Sequence, residues 1–72
     1  MLLNESEMNS SALDKAMYNF ETNTLKIQFK SGKIYEYENV DQSVYQRLCE
    51  AESQGKFFHD EIKNNYSHIE LL

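Results

Sequence analysis

The sequence predicts a small α+β domain, and two observations support that prediction. Residues 24–30, TLKIQFK, alternate apolar and polar side chains, as in a strand with one buried face and one solvated face. After residue 41 the apolar spacing changes to the three- and four-residue intervals of a helix. A chain of 72 residues holds at most one domain. Such a domain buries only about 60% of its unfolded surface, so we expect modest stability.

A β-hairpin is the clearest predicted element. Gly32 interrupts the alternating run and can adopt the positive φ that a tight turn needs. The return strand, KIYEYEN, places Tyr35 and Tyr37 on one face and Glu36 and Glu38 on the other. Because an unpaired carboxylate is costly to bury, we expect the tyrosine face to point inward.

Two helices are predicted after the hairpin. Asp41 is a suitable N-cap for QSVYQRLCEAES, in which Val44 and Leu48 lie one helical turn apart. Gly55 ends this helix or forms the turn that follows it. The second helix, KFFHDEIKNNY, carries a single apolar stripe, which consists of Phe58, Ile62 and Tyr66.

The two ends of the chain have less regular patterns. Residues 1–9 are predicted to form a flexible acidic leader, and residues 10–72 a single domain. Residues 11–19 fit a helix or a strand, because Leu13 and Met17 share a helical face but alternate poorly with their neighbours. The C-terminal tail is apolar enough to dock on another surface through Ile69, Leu71 and Leu72.

Composition limits the classes of function. The formal net charge of −5 argues against a generic binder of phosphate backbones. Three lysines nevertheless lie in the hairpin with no acid among them, namely Lys26, Lys30 and Lys33. The one cysteine excludes an internal disulfide and suits a reducing compartment. Since there is no long apolar run and no signal-peptide pattern, we expect a soluble cytoplasmic protein.

No catalytic or metal-binding arrangement is predicted. His59 and His68 are separated by an interval that is not typical of metal ligands, and Cys49 lies beside apolar helix residues. The acidic pairs in the helices are interpreted as exposed charges, because we do not expect a large pocket in so small a domain. The chain is therefore expected to be non-catalytic and to need neither a metal nor a cofactor.

The order of these motifs resembles that of the KTSC domain, a short module named for the C-terminus of some lysyl-tRNA synthetases. The similarity covers residues 10–66. It comprises a tyrosine before a turn, a strand ending in Phe, a glycine-bounded hairpin, a Tyr-x-Tyr pair, a valine before a helix, an Ala-x-Ser-x-Gly turn and a closing Phe-x-x-x-Ile-x-x-x-Tyr. In this chain these features fall at Tyr18, Phe29, Gly32, Tyr35, Tyr37, Val40, Ala51 to Gly55, Phe58, Ile62 and Tyr66. Asp41 stands where the family often has proline, and the basic character around Ile62 is thinner than usual.

The resemblance implies that residues 11–19 form a strand. The predicted fold is then a three-stranded antiparallel β-meander over residues 11–38, packed against two C-terminal α-helices over residues 42–66. Leu13 or Met17 would supply the core from the first strand. The rest of the predicted core consists of Leu25, Ile27, Phe29, Tyr35, Tyr37, Val44, Leu48, Phe58 and Ile62.

The resemblance also implies a binding or accessory domain, with RNA, tRNA or a tRNA-handling protein as its partner. The candidate nucleic-acid-binding residues are those of the basic hairpin, Lys26, Gln28, Lys30 and Lys33. The residue types by themselves favour the alternative interpretation, a solvated strand face that protects a sheet edge from aggregation.

Two alternatives remain open. Tyr35 and Tyr37 have the chemistry to stack nucleotide bases, although strand alternation favours a core position for them. Phe58, Ile62 and Tyr66 are likewise expected in the core. The alternative function is a protein–protein adapter, or a small bacterial or phage regulator. It would act through its acidic surface and apolar tail, on another protein or on a second copy of the chain.

Overall fold

A computed structural model describes residues 3–72 and shows one antiparallel sheet with helices on one face. The strands follow chain order across the sheet: β1 (Leu3–Glu7), β2 (Leu13–Asn19), β3 (Thr24–Phe29), β4 (Ile34–Tyr37) and β5 (His68–Glu70). Between β4 and β5 the chain forms α1 (Gln42–Glu50), the short α2 (Gln54–Phe57) and a π-helical segment, the π turn (Phe58–Ile62). The α+β class is confirmed.

The predicted number of strands is wrong, because the sheet has five strands rather than three. β1 lies in the stretch that was predicted to be a leader, of which Met1 and Leu2 are outside the described residues. Its sequence lacks apolar alternation, since Asn4 and Ser6 are polar on the side that faces α1. Both side chains bond the Tyr45 hydroxyl, with contacts of 3.2 and 2.6 Å. β5 was missed because it has three residues, too few to show a period.

Strand registers decide which side chains face the helices. β2 and β3 pair Tyr18 with Leu25 and Ala16 with Ile27, and all four side chains are fully buried. Met17 pairs with Lys26 on the opposite face and is only half-buried. Of the two candidates from the first predicted strand, Leu13 is therefore the one that lies in the core. The two-residue period of the strands therefore separates a core face from an outer face.

The core lies between the sheet, α1 and the π turn. Six of the predicted core residues besides Leu13 are buried, namely Leu25, Ile27, Tyr37, Leu48, Phe58 and Ile62. Phe29, Tyr35 and Val44 are half-buried at its margin. Residues that were not predicted complete it, namely Met8, Ala16, Tyr18, Val40 and Tyr45. The two largest additions, Tyr18 and Tyr45, stack with ring centroids 5.1 Å apart.

The start of α1 follows the predicted capping. The Asp41 carboxylate accepts a hydrogen bond from the Ser43 backbone N–H at 3.0 Å. Hydrogen bonds from the Ser43 side chain and then from its backbone N–H hold the pKa of Asp41 below its usual value. The longest helix has nine residues, and none among residues 3–72 is long and apolar enough to cross a membrane.

The β3–β4 turn depends on a glycine. Gly32 has φ +99°, and its N–H donates to the Phe29 carbonyl at 2.9 Å. An added Cβ at Gly32 would meet no atom within 4 Å, so Gly32→Ala would destabilise the fold only through the strain of a positive φ in alanine. We expect it to lower the free energy of unfolding by about 1–2 kcal/mol, measured by urea denaturation. Ser31→Ala in the same turn serves as the control, and equal unfolding midpoints for both variants would contradict the prediction.

Candidate functional site

A groove of about 400 Å³ lies between the β3–β4 hairpin and the π turn. Its floor comes from the sheet and the π turn, whereas its rim comes from the hairpin, the π turn and β5. The groove is thus bounded by segments that are far apart in sequence. Its volume is within the range of small-molecule sites, contrary to the expectation that so small a domain has no sizeable pocket.

The floor of the groove is aromatic. Phe29 lies edge-to-face against both Tyr35 and Phe58, each with ring centroids 5.6 Å apart. Tyr37 contacts Phe58 in the same geometry. Tyr37 is 2% exposed and belongs to the core, whereas Tyr35 is half-buried and turns part of its surface to the groove. The groove therefore offers apolar ring surface to a planar ligand.

The rim of the groove carries cationic and imidazole groups. Lys33 stands at the hairpin end, and His59 and Lys63 stand on the π turn and directly after it. His68 on β5 stacks on Tyr35 with centroids 5.5 Å apart and planes 15° apart. All four of these residues are exposed. An aromatic floor beside cationic groups suits a ligand with a planar part and a negatively charged part.

The π turn sets the position of the rim residues. The Lys63 N–H donates to the Phe58 carbonyl at 2.9 Å, which is the five-residue hydrogen bond of a π-helix. Phe58 and Ile62 point into the core, and the widened turn leaves His59 and Lys63 beside the groove. π-helical turns are rare and are often found at functional sites.

The rim cations are not equally available. The Lys33 ammonium lies 3.0 Å from the Glu70 carboxylate, and this hydrogen bond is the main reason that the pKa of Lys33 is raised. The pKa of the Asp60 carboxyl is lowered, chiefly by its hydrogen bond from Lys56 and then by its contact with His59. Lys63 forms no ion pair with any residue that the structure describes. Lys63 is therefore the rim cation best placed to meet an anion.

The groove lacks an evident catalytic arrangement. Burial, followed by the proximity of Tyr35, raises the pKa of Tyr37 to about 12, so its phenol stays protonated near neutral pH. Cys49 is remote from the groove and lies 3.5 Å from the Ser6 hydroxyl. Within residues 3–72, no three His, Cys, Asp or Glu side chains are grouped so that they could hold a metal ion.

The structure separates the four residues of the predicted nucleic-acid site. Lys26 lies on the outer face of the sheet between Met17 and Glu36 in the strand registers. Gln28 shares that face, and its amide lies 3.4 Å from the Asp14 carboxylate. Lys30 is exposed in the turn. Of this set, only Lys33 lines the groove.

The residues of the family-like motif divide between the core and the groove. Tyr37, Phe58 and Ile62 are buried, and Tyr35 and Tyr66 are half-buried against the core. Sequence reasoning did not assign the groove residues His59, Lys63 and His68 to a site. The spacing of the core residues Phe58 and Ile62 was the available signal for two of them, because His59 and Lys63 directly follow these core residues and so face away from the core. No comparable signal pointed to His68, since its position depends on the pairing of β5.

Comparisons with known proteins point to one family. The model of the KTSC domain matches residues 9–66. A lysine–tRNA ligase of Trichormus variabilis is 36% identical over 61 residues, which is 85% of this chain and 11% of that protein. An uncharacterised protein of Stutzerimonas stutzeri is 39% identical over 56 residues, which is 78% of this chain and 79% of that one. The chain thus spans about a tenth of the length of the ligases that it matches.

A solved structure has the same fold. The crystal structure of a KTSC domain protein from Yersinia pestis aligns with a TM-score of 0.89 and 27% sequence identity. The alignment covers 97% of this chain and 99% of that one. The similarity therefore includes both strands that the sequence did not predict.

Proposed function

This chain belongs to the KTSC domain family, and from that premise we propose that it is a non-catalytic accessory domain whose groove binds single-stranded RNA. A base would rest against the aromatic floor, and a neighbouring phosphate would meet the rim. The observation that carries the proposal is the aromatic floor beside the cationic rim, in particular that Tyr35 and Lys63 line the same groove.

The aromatic floor supports recognition of an unpaired base. RNA-binding proteins commonly stack splayed bases on aromatic side chains, and such stacking contributes about 1–3 kcal/mol per base. His68 stacks on the Tyr35 ring, so a base that stacks at the same place would replace the imidazole. The groove has the volume for one base together with its phosphate, so we expect contact with one or two nucleotides rather than with a long duplex.

The charge distribution supports a weak, salt-sensitive site. The chain as a whole has a net charge of −5, so long-range attraction of RNA is absent. Local cations at the groove, Lys33 and Lys63, are therefore the groups expected to meet phosphates. Similarity to segments of lysine–tRNA ligases places related domains in proteins that handle tRNA, which favours RNA as the ligand.

Fluorescence anisotropy with labelled single-stranded RNA at low and moderate salt tests the proposal. We expect Lys63→Gln to weaken binding roughly tenfold at low salt and to flatten the salt dependence, because one phosphate contact is lost. Lys26→Gln is the matched control, since it removes the same charge from the outer face. We expect that variant to bind like the wild type.

The outcomes separate the two candidate RNA surfaces. A loss with Lys26→Gln, and none with Lys63→Gln, would transfer the site to the basic hairpin face that the sequence suggests. Absence of binding at low salt would exclude RNA altogether, because an electrostatic contact is strongest there. Tyr35→Leu distinguishes stacking from charge alone, since it preserves the cations and removes the aromatic ring.

A further inference from the structure

Strand β5 leaves an unpaired edge of the sheet. It is the last strand in the order, so among residues 3–72 it pairs with β4 alone. All three of its residues are exposed. Ile69 is 53% exposed, and Leu71, directly after the strand, is 43% exposed. An edge strand with exposed apolar side chains is a template for pairing with another strand.

The hydrogen bonds of β5 show which backbone groups remain available. The Leu71 N–H donates to the Ile34 carbonyl at 2.7 Å, and the Ser67 carbonyl accepts from Glu38 at 2.9 Å. Because hydrogen-bonding directions alternate along an antiparallel strand, the N–H and C=O groups of His68 and Glu70 point away from β4. These groups can form a second ladder.

We propose that two copies of this chain associate through their β5 edges in antiparallel register, with Ile69 of each copy opposite Ile69 of the other on a two-fold axis. In this register His68 of each copy stands opposite Glu70 of the other copy, so the two-fold axis gives two equivalent pairs. The imidazole can donate a hydrogen bond to that carboxylate on the groove side of the sheet. The two Ile69 side chains meet on the outer side, so both faces of the junction are complementary.

Other pairings are less favourable. Shifting the register one way would place the two Glu70 carboxylates opposite each other, and like charges in that position are destabilising. Shifting it the other way would set His68 opposite His68, which loses both His68–Glu70 pairs and the contact between the two Ile69 side chains. The other edge of the sheet, β1, turns Glu5 and Glu7 to the outer face. Pairing β1 with β5 of another copy would set these carboxylates against Ile69 or Leu71. It would also generate an open-ended filament rather than a closed dimer.

The proposed dimer has a defined consequence for the groove. β5 carries His68 on the groove rim, so the two-fold axis places two grooves on the same side of one continuous sheet. The contact itself is small, because β5 has three residues, and the dimer is expected to be weak and concentration-dependent. A ligand long enough to reach both grooves would bind more tightly than it binds either one alone.

Disulfide trapping tests the register. Ile69→Cys is introduced in a Cys49→Ser background, which removes the natural thiol. In the proposed pair the two position-69 Cα atoms are about 4.5 Å apart, within the range of about 4.4–6.8 Å that a disulfide spans. Leu71→Cys is the matched control on the same face. Its two copies would lie four residues apart along the ladder, roughly 13 Å, which is too far to be joined.

We expect mild oxidation at low protein concentration to give a covalent dimer of the Ile69→Cys variant in at least tenfold excess over the Leu71→Cys variant, on non-reducing gels. Equal yields, or a dimer of the Leu71→Cys variant alone, would overturn the register. A lack of cross-linking in both variants would overturn the contact itself. RNA is not present in this experiment, so its outcome is independent of the proposed RNA binding.

Sedimentation equilibrium of complementary variants supplies a second readout. Ile69→Asp and Ile69→Lys should each be monomeric, because each places two like charges on the two-fold axis. Their equimolar mixture should recover the concentration-dependent association of the wild type, since opposite charges then face each other. A wild type that remains monomeric at the highest soluble concentration, or a mixture that stays monomeric, would contradict the proposal.

Discussion

Replacing Leu48 with alanine is expected to unfold a substantial fraction of the molecules at room temperature. Leu48 is 0% exposed, on the side of α1 that packs against the sheet. Truncating a buried leucine costs about 2–5 kcal/mol, through lost apolar burial and the cavity that remains. A hydrophobic core of this size rarely supplies more than about 3–5 kcal/mol of net stability. The expected loss is therefore comparable with the whole free energy of unfolding.

Circular dichroism during urea denaturation measures this effect. Leu72→Ala is the matched control, because it makes the same chemical change at a side chain that is 68% exposed, and we expect its unfolding midpoint to match that of the wild type. Leu48→Met preserves most of the volume and should cost less than about 1.5 kcal/mol. A Leu48→Ala protein whose stability lies within about 1 kcal/mol of the wild type would show that α1 does not pack as described.

The central strands and α1 were predictable because each buries one face. Ile27 and Tyr37 alternate with polar side chains on β3 and β4, so the sequence reports their burial directly. β1 gives no such signal, since Asn4 and Ser6 reach the Tyr45 hydroxyl through polar contacts instead of apolar packing. Where tertiary hydrogen bonds replace apolar burial, the hydrophobic pattern along the chain does not mark the strand.

The groove was predictable only in part, because closeness in sequence does not decide which side chains share a face of the sheet. Lys26 and Lys33 are seven residues apart in one hairpin, yet strand alternation places them on opposite faces of the sheet. Conversely, Lys33 and Lys63 are 30 positions apart in the chain and line the same groove. Their juxtaposition depends on where the π turn docks, which no local pattern specifies.

A second large effect is expected at a buried hydroxyl. Tyr18 is 0% exposed, and its hydroxyl donates to the Val40 carbonyl at 2.6 Å. This bond ties β2 to the segment that leads into α1, and the Val40 N–H in turn donates to the Asn23 carbonyl at 2.9 Å. Tyr18→Phe keeps the ring, and with it the stack on Tyr45, but removes the donor that the buried carbonyl accepts from. We expect a loss of about 1–3 kcal/mol at neutral pH, measured by urea denaturation.

The matched control is Tyr45→Phe, and alkaline pH supplies a second readout. The Tyr45 hydroxyl bonds Asn4 and Ser6 on an edge strand, where water can replace it, so its loss should cost less.

Burial, and then the Asp41 charge, raises the pKa of Tyr18 above its usual value near 10. A raised folded-state pKa contributes stability that is complete below the unfolded pKa and is lost as the pH rises through the folded one. Above a pH of about 10, the free energy of unfolding of the wild type should therefore fall more steeply with pH than that of Tyr18→Phe. Some pH dependence should remain in the variant, because the pKa values of Tyr37 and Tyr45 are also raised. Two outcomes would contradict the prediction: equal pH dependence of stability in the wild type and Tyr18→Phe, or a loss of stability in Tyr18→Phe no larger than that in Tyr45→Phe. Either would show that the Tyr18–Val40 hydrogen bond does not stabilise the packing of β2 against the segment that leads into α1.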